Sequence, residues 1–194
     1  MMNDVLLQHL LKVEGGLTND KVDRGGLTNL GITKSTFDQA KKDGIISSNV
    51  ELDELTAFDA LKIYDYYYYT PSKAYELNEP LDVLHLDAAV NHGVSRASKF
   101  LQEAIYIVLK PYFLKNNINF HIDGIIGPKT LKYYHKIAEN KESLMLLYSI
   151  YINLRYRYYN EIVANDKTQL KFLHGWLNRL KIFVDKLRQY CLEA

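Results

Sequence analysis

The sequence predicts a mainly α-helical protein with one irregular or hairpin segment near its N-terminus. Three observations lead there. Apolar residues recur at helical spacing along most of the 194 residues, with capping residues and helix breakers between the runs. Glycine is concentrated, with five of its ten copies between Gly15 and Gly31. Two uninterrupted amphipathic stretches, 142–163 and 168–191, close the chain.

Asp4 can cap a first helix to about Val13, with Leu6, Leu7, Leu10, Leu11 and Val13 on its apolar face. Gly15-Gly16 stops it. Residues 17–33, rich in Gly, Asn and Asp, read as a loop or short hairpin. Thr33 or Ser35 can start a helix at 35–43. Asp53 and Thr56 are both possible caps for one at 54–68, which Thr70-Pro71 should end. Further helices are expected at 81–92, ending at Gly93, and at 96–109, capped by Ser95. After a polar loop, Pro128 suits the first turn of a helix at 128–138. Composition changes character near 93–95. The expected division is therefore 1–93 and 94–194, two helical lobes packed together with a cleft between them.

Collagen-like, low-complexity and strongly disordered classes are excluded by 47% hydrophobic residues and few Gly or Pro. No stretch approaches the roughly 18 uncharged apolar residues of a membrane span. Met1 to Gln8 lacks the pattern of a cleavable signal peptide. One cysteine, Cys191, excludes an internal disulfide and a Cys-based zinc cluster. Sixteen tyrosines against one tryptophan lead us to expect aromatic-lined surfaces. Charge is uneven. Residues 1–90 hold 8 Lys/Arg against 15 Asp/Glu, a net of −7, and residues 91–194 hold 16 against 8, a net of +8. The basic half suits an anionic partner such as wall polymer, lipid surface or nucleic acid, or is a set of solvated helix faces.

Several chemistries lack their motifs. Gly26 and Gly31 have phosphate-loop spacing, but Ile32 stands where Lys is required. No GxGxxG, HExxH or Gly-x-Ser-x-Gly occurs, and the pair His121 and Asp123 is a poor metal site. What remains is Glu14 at a helix end, then Asp20, Asp23 and Thr28 among glycines. A carboxylate at a helix C-terminus faces the negative end of the dipole, so its ionised form is disfavoured. That suits a general acid near neutral pH. On residue chemistry alone, Glu14 reads equally as a solvated residue before a Gly cap. Asp23 and Thr28 read equally as turn and hairpin residues.

The run Glu14-Gly15-Gly16, then Asp23-x-Gly25-Gly26-x-Thr28-Asn29-x-Gly31-Ile32-Thr33, resembles the signature of the glycoside hydrolase 108 family. These are bacterial and phage N-acetylmuramidases of the lysozyme superfamily. Asp65 to Pro71 resembles the family's Y-x-x-Y-W-x-P segment, with Tyr69 where Trp is usual. Asp87 to Gly93 resembles its D-x-A-V-N-x-G helix. Asp123 to Thr130 resembles the D-G-x-x-G-P-x-T motif of its C-terminal peptidoglycan-binding region, and Phe172 to Arg179 its closing F-x-x-G-W-x-x-R. Tyr69 and Leu17 depart from the aromatic pattern.

The resemblance implies a lysozyme-like fold and hydrolysis of the β-1,4 bond between N-acetylmuramic acid and N-acetylglucosamine. It makes Glu14 the acid. Asp23 and Thr28, which echo the Glu…Asp…Thr series of phage-type lysozymes, would handle the water or the developing cation, with Asp20 a competing carboxylate. Tyr66 and Tyr69 could stack on sugars, though in a helix at most two of Tyr66 to Tyr69 can face one cleft and at least one should be core. Asp87 and Asn91 could meet an N-acetyl sugar, or form a hydrogen-bonded buried pair. Trp176 reads as core. No metal or organic cofactor is expected. The expected partner is the peptidoglycan glycan strand, with no nucleic acid and a monomeric protein. Without a leader, action on the wall would follow release or export from the cytoplasm. A chitinase-like glycosidase and a non-catalytic wall-binding or secretion accessory protein are the alternatives.

Overall fold

The computed structural model describes residues 18–19 and 27–192. The first predicted helix, Glu14, Asp20 and Asp23 lie outside the described residues. The chain divides into two compact units, Met1–Tyr75 and Glu76–Ala194. The fold is mainly α, as the sequence predicts, with a small sheet in the predicted hairpin region.

In the first unit, strands β1 (Thr18–Asn19), β2 (Leu27–Asn29) and β3 (Ile32–Thr33) form an antiparallel sheet in that order. Thr28 pairs with Thr18 on one side and Thr33 on the other. The β2–β3 turn places Leu30 and Gly31 at φ 50° and 75°. Positive φ at both central residues matches the right-handed strand twist, and Gly31 takes its place without strain. Leu30 is held there by the Tyr64 hydroxyl, which donates to its carbonyl at 2.8 Å. Asn29 Nδ2 donates to Leu52 O at 2.8 Å. These two bonds tie the hairpin to the helices behind it.

Helix α1 (Lys34–Lys42) starts at Thr33, whose Oγ1 accepts from the Thr36 amide at 3.2 Å. It buries Phe37 and Ala40. After a short 3-10 turn at Leu52–Glu54, Thr56 caps α2 (Ala57–Tyr64). Of the two possible caps, Thr56 is used, because Asp53 sits inside the separate turn. The expected stop at Thr70-Pro71 does not occur. A π turn at Asp65–Tyr69 runs into a helical turn at Thr70–Ser72 that includes Pro71. Pro lacks an N–H and its ring crowds the carbonyl four residues back. The wider π turn, closed by Thr70 N–H to Asp65 O, relieves that conflict. Lys73, at φ 55°, then ends the helix.

In the second unit, α3 (Leu81–His92) is buried almost all round, from Leu81 through Ala89 except Asp82. Such a helix needs neighbours on several sides. It packs on α4 (Val94–Lys115), which packs on α6 (Lys141–Asn165), and α6 in turn on α7 (Leu170–Leu192). α3 thus belongs to the second compact unit, whereas a division at 93/94 groups it with the first lobe. α4 also runs past its expected end at 109, through Pro111. The buried Phe113 lies 5.2 Å from Phe120 and 4.8 Å from Tyr133, ring to ring, and this packing offsets the hydrogen bond that Pro111 removes.

Helix α5 (Pro128–Ala138) begins at the predicted proline. Its preceding loop is locked to α4 by Gln102, a residue with no local motif to mark it. Gln102 Nε2 donates to Asp123 Oδ1 at 2.8 Å, Ile125 O at 3.1 Å and Thr130 Oγ1 at 3.2 Å, and its Oε1 accepts from the Gly124 amide at 2.8 Å. The D-G-x-x-G-P-x-T stretch is therefore a structural clamp. Gly124 sits at φ 83°, and a Cβ there would lie 2.5 Å from Ser95 Oγ and 3.0 Å from Ser95 O. Gly124→Ala should destabilise the protein by about 1–3 kcal/mol, read by denaturant unfolding. An unchanged midpoint would refute the clamp.

Candidate functional site

The described part of the candidate catalytic region is the hairpin carrying Thr28. Thr28 occupies the central strand, half-buried, with a partner strand on each side. Strand geometry points successive side chains to opposite faces. Asn29 and the buried Ile32, paired across β2 and β3, take the inner face. Thr28 and Thr33 take the other. Three anchors therefore fix the position of Thr28: the ladder, Asn29 to Leu52 and Tyr64 to Leu30.

The π turn builds a groove in the same unit. A cavity of about 740 Å³ is lined by Gly44, Ile45, Lys62, Asp65, Tyr66, Tyr67, Thr70 and Pro71. That is the size of a small-ligand site. Tyr66 is half exposed and meets Tyr67 edge-on, with ring centres 5.0 Å apart. The Tyr67 hydroxyl donates to Asp43 Oδ2 at 2.6 Å. Burial and that carboxylate push its pKa up, so it stays a neutral donor. Tyr69 does not line the cavity; it packs against Tyr75, with centroids 5.9 Å apart. None of Tyr66 to Tyr69 is fully buried. The core tyrosine of the segment is Tyr64, one turn earlier, because the π turn redirects the residues after it.

Asp87 is corrected by the structure. It is fully buried and pairs with two arginines: Arg155 Nη2 donates to Oδ2 at 2.8 Å, and Arg179 Nε donates to Oδ1 at 2.9 Å and to Oδ2 at 3.1 Å. Both carboxylate oxygens are engaged, so Asp87 is an organising charge of the core and not a sugar contact. Burial opposes the charge on Arg155, but the Asp87 carboxylate together with Tyr159 and Tyr151 outweighs it and raises its pKa. Asn91 does not pair with Asp87. Half-buried, it accepts a hydrogen bond from the Tyr159 hydroxyl at 2.7 Å, and Tyr159 in turn accepts from Arg155 Nη2 at 3.2 Å. Trp176 stacks on Tyr159 at 5.1 Å and 17°. His92 packs against Phe100, Tyr158 and Tyr159. Burial, then Arg155, push its pKa down to about 2, so it stays neutral. Arg155 and Arg179, which join α6 and α7 to α3, carried no local signal of this role; the closing motif around Arg179 was the nearest hint.

The first unit thus carries an anchored strand bearing Thr28 and a groove edged by Tyr66 and Tyr67. Residues 7–93 match the family model described as Glycosyl hydrolase 108, and residues 96–181 match the model described as Predicted Peptidoglycan domain. The two domains together make the protein a peptidoglycan-degrading N-acetylmuramidase carrying a peptidoglycan domain. A solved structure titled "Structure of Brucella abortus SagA" is similar over 96% of this chain and 93% of that one, with 26% identity and a TM-score of 0.72. No curated protein matches the chain. The family models meet at 93/96, so α3 falls in the hydrolase model while packing in the second compact unit.

Proposed function

We propose that Glu14 is the general acid for cleavage of the β-1,4 bond between N-acetylmuramic acid and N-acetylglucosamine. Asp23 orients water or stabilises the oxocarbenium-like transition state, and Thr28 helps place the water. The observation that carries this is the hydrolase match over 7–93, which spans the whole Glu14–Asp23–Thr28 series, together with the anchored strand of Thr28. A hydroxyl that positions water must be held to within a fraction of an ångström, and the three anchors supply that restraint. Two carboxyl groups around the scissile bond are the general requirement of the chemistry. Tyr66 offers an aromatic face to a sugar in the groove, and Asn91 on α3 is a separate candidate contact for an N-acetyl sugar. Residues 1–93 carry the chemistry and 94–194 hold the wall. The protein acts as a monomer on the wall beyond the cytoplasm.

The assignment of the second carboxylate is tested by a pair of variants. Asp23→Ala should lower turnover of purified walls by at least about 100-fold, as loss of a general acid–base group does, while Asp20→Ala stays within a few-fold of wild type. The reverse ranking would transfer the role to Asp20.

A further inference from the structure

The second unit carries a lysine-rich surface that its own helix electrostatics explain only in part. On α5, Lys129, Lys132 and Lys136 are all exposed and lie three and four residues apart, on one helical stripe. The opposite face is buried through Thr130, Tyr133, Tyr134 and Ile137. Tyr112, at the end of α4, connects the two helices: its ring lies 6.5 Å from Tyr133, and Lys136 Nζ sits 4.8 Å over it. Lys132 Nζ sits 5.8 Å from the Tyr133 ring centre. Lys129 Nζ donates to Asn119 O at 2.5 Å, drawing the stripe toward the loop after α4, and Lys115 ends that helix.

None of these four lysines forms an ion pair among the described residues. Helix electrostatics account for part of the pattern only. Lys136 and Lys115 stand in last turns, where the dipole favours cations. Lys129 stands in the first turn of α5, where the dipole disfavours a cation, and that turn holds no acidic residue. A helix optimised for its own stability would place Asp or Glu there.

We propose that the Lys129–Lys132–Lys136 stripe, with Lys115 and Tyr112, docks the carboxylate-bearing stem peptides of peptidoglycan. The proposal rests on the reading of residues 96–181 as a wall-binding domain and names the part of the wall that it grips. Charge complementarity selects the occupant. The fixed anions of peptidoglycan itself are the carboxylates of its peptides, borne on flexible chains. Ammonium groups on flexible stems, with no guanidinium fork among them, suit carboxylates that vary in position and orientation. Tyr112 adds an apolar and hydroxyl face for the peptide backbone.

The test is sedimentation of the full-length protein with purified peptidoglycan stripped of phosphate-containing accessory polymers. The triple variant Lys129→Glu, Lys132→Glu, Lys136→Glu should bind at least about ten-fold more weakly than wild type. The neutral triple Lys→Gln should fall between the two, which guards against a folding failure in the reversed variant. A control triple on other exposed lysines, Lys141→Glu, Lys167→Glu and Lys171→Glu, should stay within about two-fold of wild type. Glycan strands freed of their peptides keep only a lactyl carboxylate held close to the sugar and should bind wild type at least about ten-fold more weakly than intact peptidoglycan does. Undiminished binding by the reversed variant, or peptide-free strands binding wild type as tightly as intact peptidoglycan, would overturn the proposal. So would binding that requires the phosphate polymers. Sedimentation reads the stripe whether or not hydrolysis occurs, so the docking proposal and the catalytic reading fail separately.

Discussion

Glu14→Gln should fold as wild type does and lose nearly all wall-lytic activity. The substitution keeps side-chain size and most hydrogen-bonding capacity and removes the one transferable proton. General acid catalysis contributes typically about 10²–10⁴-fold, so turnover should drop by at least about two orders of magnitude. The position argues for the role. In the sequence, Glu14 follows apolar residues at helical spacing and directly precedes Gly15-Gly16, the pattern expected of a helix C-terminus. A carboxyl group at a helix C-terminus faces the negative end of the dipole, which disfavours its ionised form. Turbidity clearing of purified walls, with thermal unfolding as the control for folding, measures the effect. A Glu14→Gln protein with wild-type stability and a third or more of wild-type activity would remove Glu14 from the mechanism.

The second large effect is on stability. Asp87→Ala should destabilise the protein by about 3–5 kcal/mol, because it leaves two buried guanidinium groups without their shared counter-charge. For a chain of this length that lowers Tm by roughly 10 °C. Arg155 is fully buried and its Nε and Nη1 have no hydrogen-bond partner among the described residues, so the Asp87 contact carries much of its compensation. The loss should exceed that of Asn91→Ala, since Asn91 is half-buried and bonded to the Tyr159 hydroxyl. Scanning calorimetry of both variants checks the ranking. An Asp87→Ala protein with unchanged Tm and lost activity would return Asp87 to the substrate.

The sequence carried local features well and long-range partnerships poorly. α3 and α5 match their expected bounds because Gly93 and Pro128 mark a stop and a start through backbone chemistry alone. The hairpin was visible in its Gly and Asn content. Pro71 misled, since it reads as a stop by local chemistry, and α4 runs through Pro111 past its expected end at 109. A π turn absorbs the first and aromatic packing around Phe113 offsets the second, and neither is encoded within a few residues of the proline. Asp87 and Asn91 sit four apart and invited a local pairing. Their partners, Arg155, Arg179 and Tyr159, lie 68 to 92 positions away, where spacing says nothing. Tyr66 was legible as an exposed aromatic, whereas the turning of Tyr69 toward Tyr75 depends on the same π turn.

The central claim is the bond that is cut, and mass spectrometry of peptidoglycan digested by the wild-type protein tests it most directly. Borohydride reduction before analysis marks the sugar that carries each new reducing end. Cleavage between N-acetylmuramic acid and N-acetylglucosamine by a muramidase should leave that end on N-acetylmuramic acid in essentially every fragment. New reducing ends on N-acetylglucosamine, or fragments released with no new reducing end, would contradict the account.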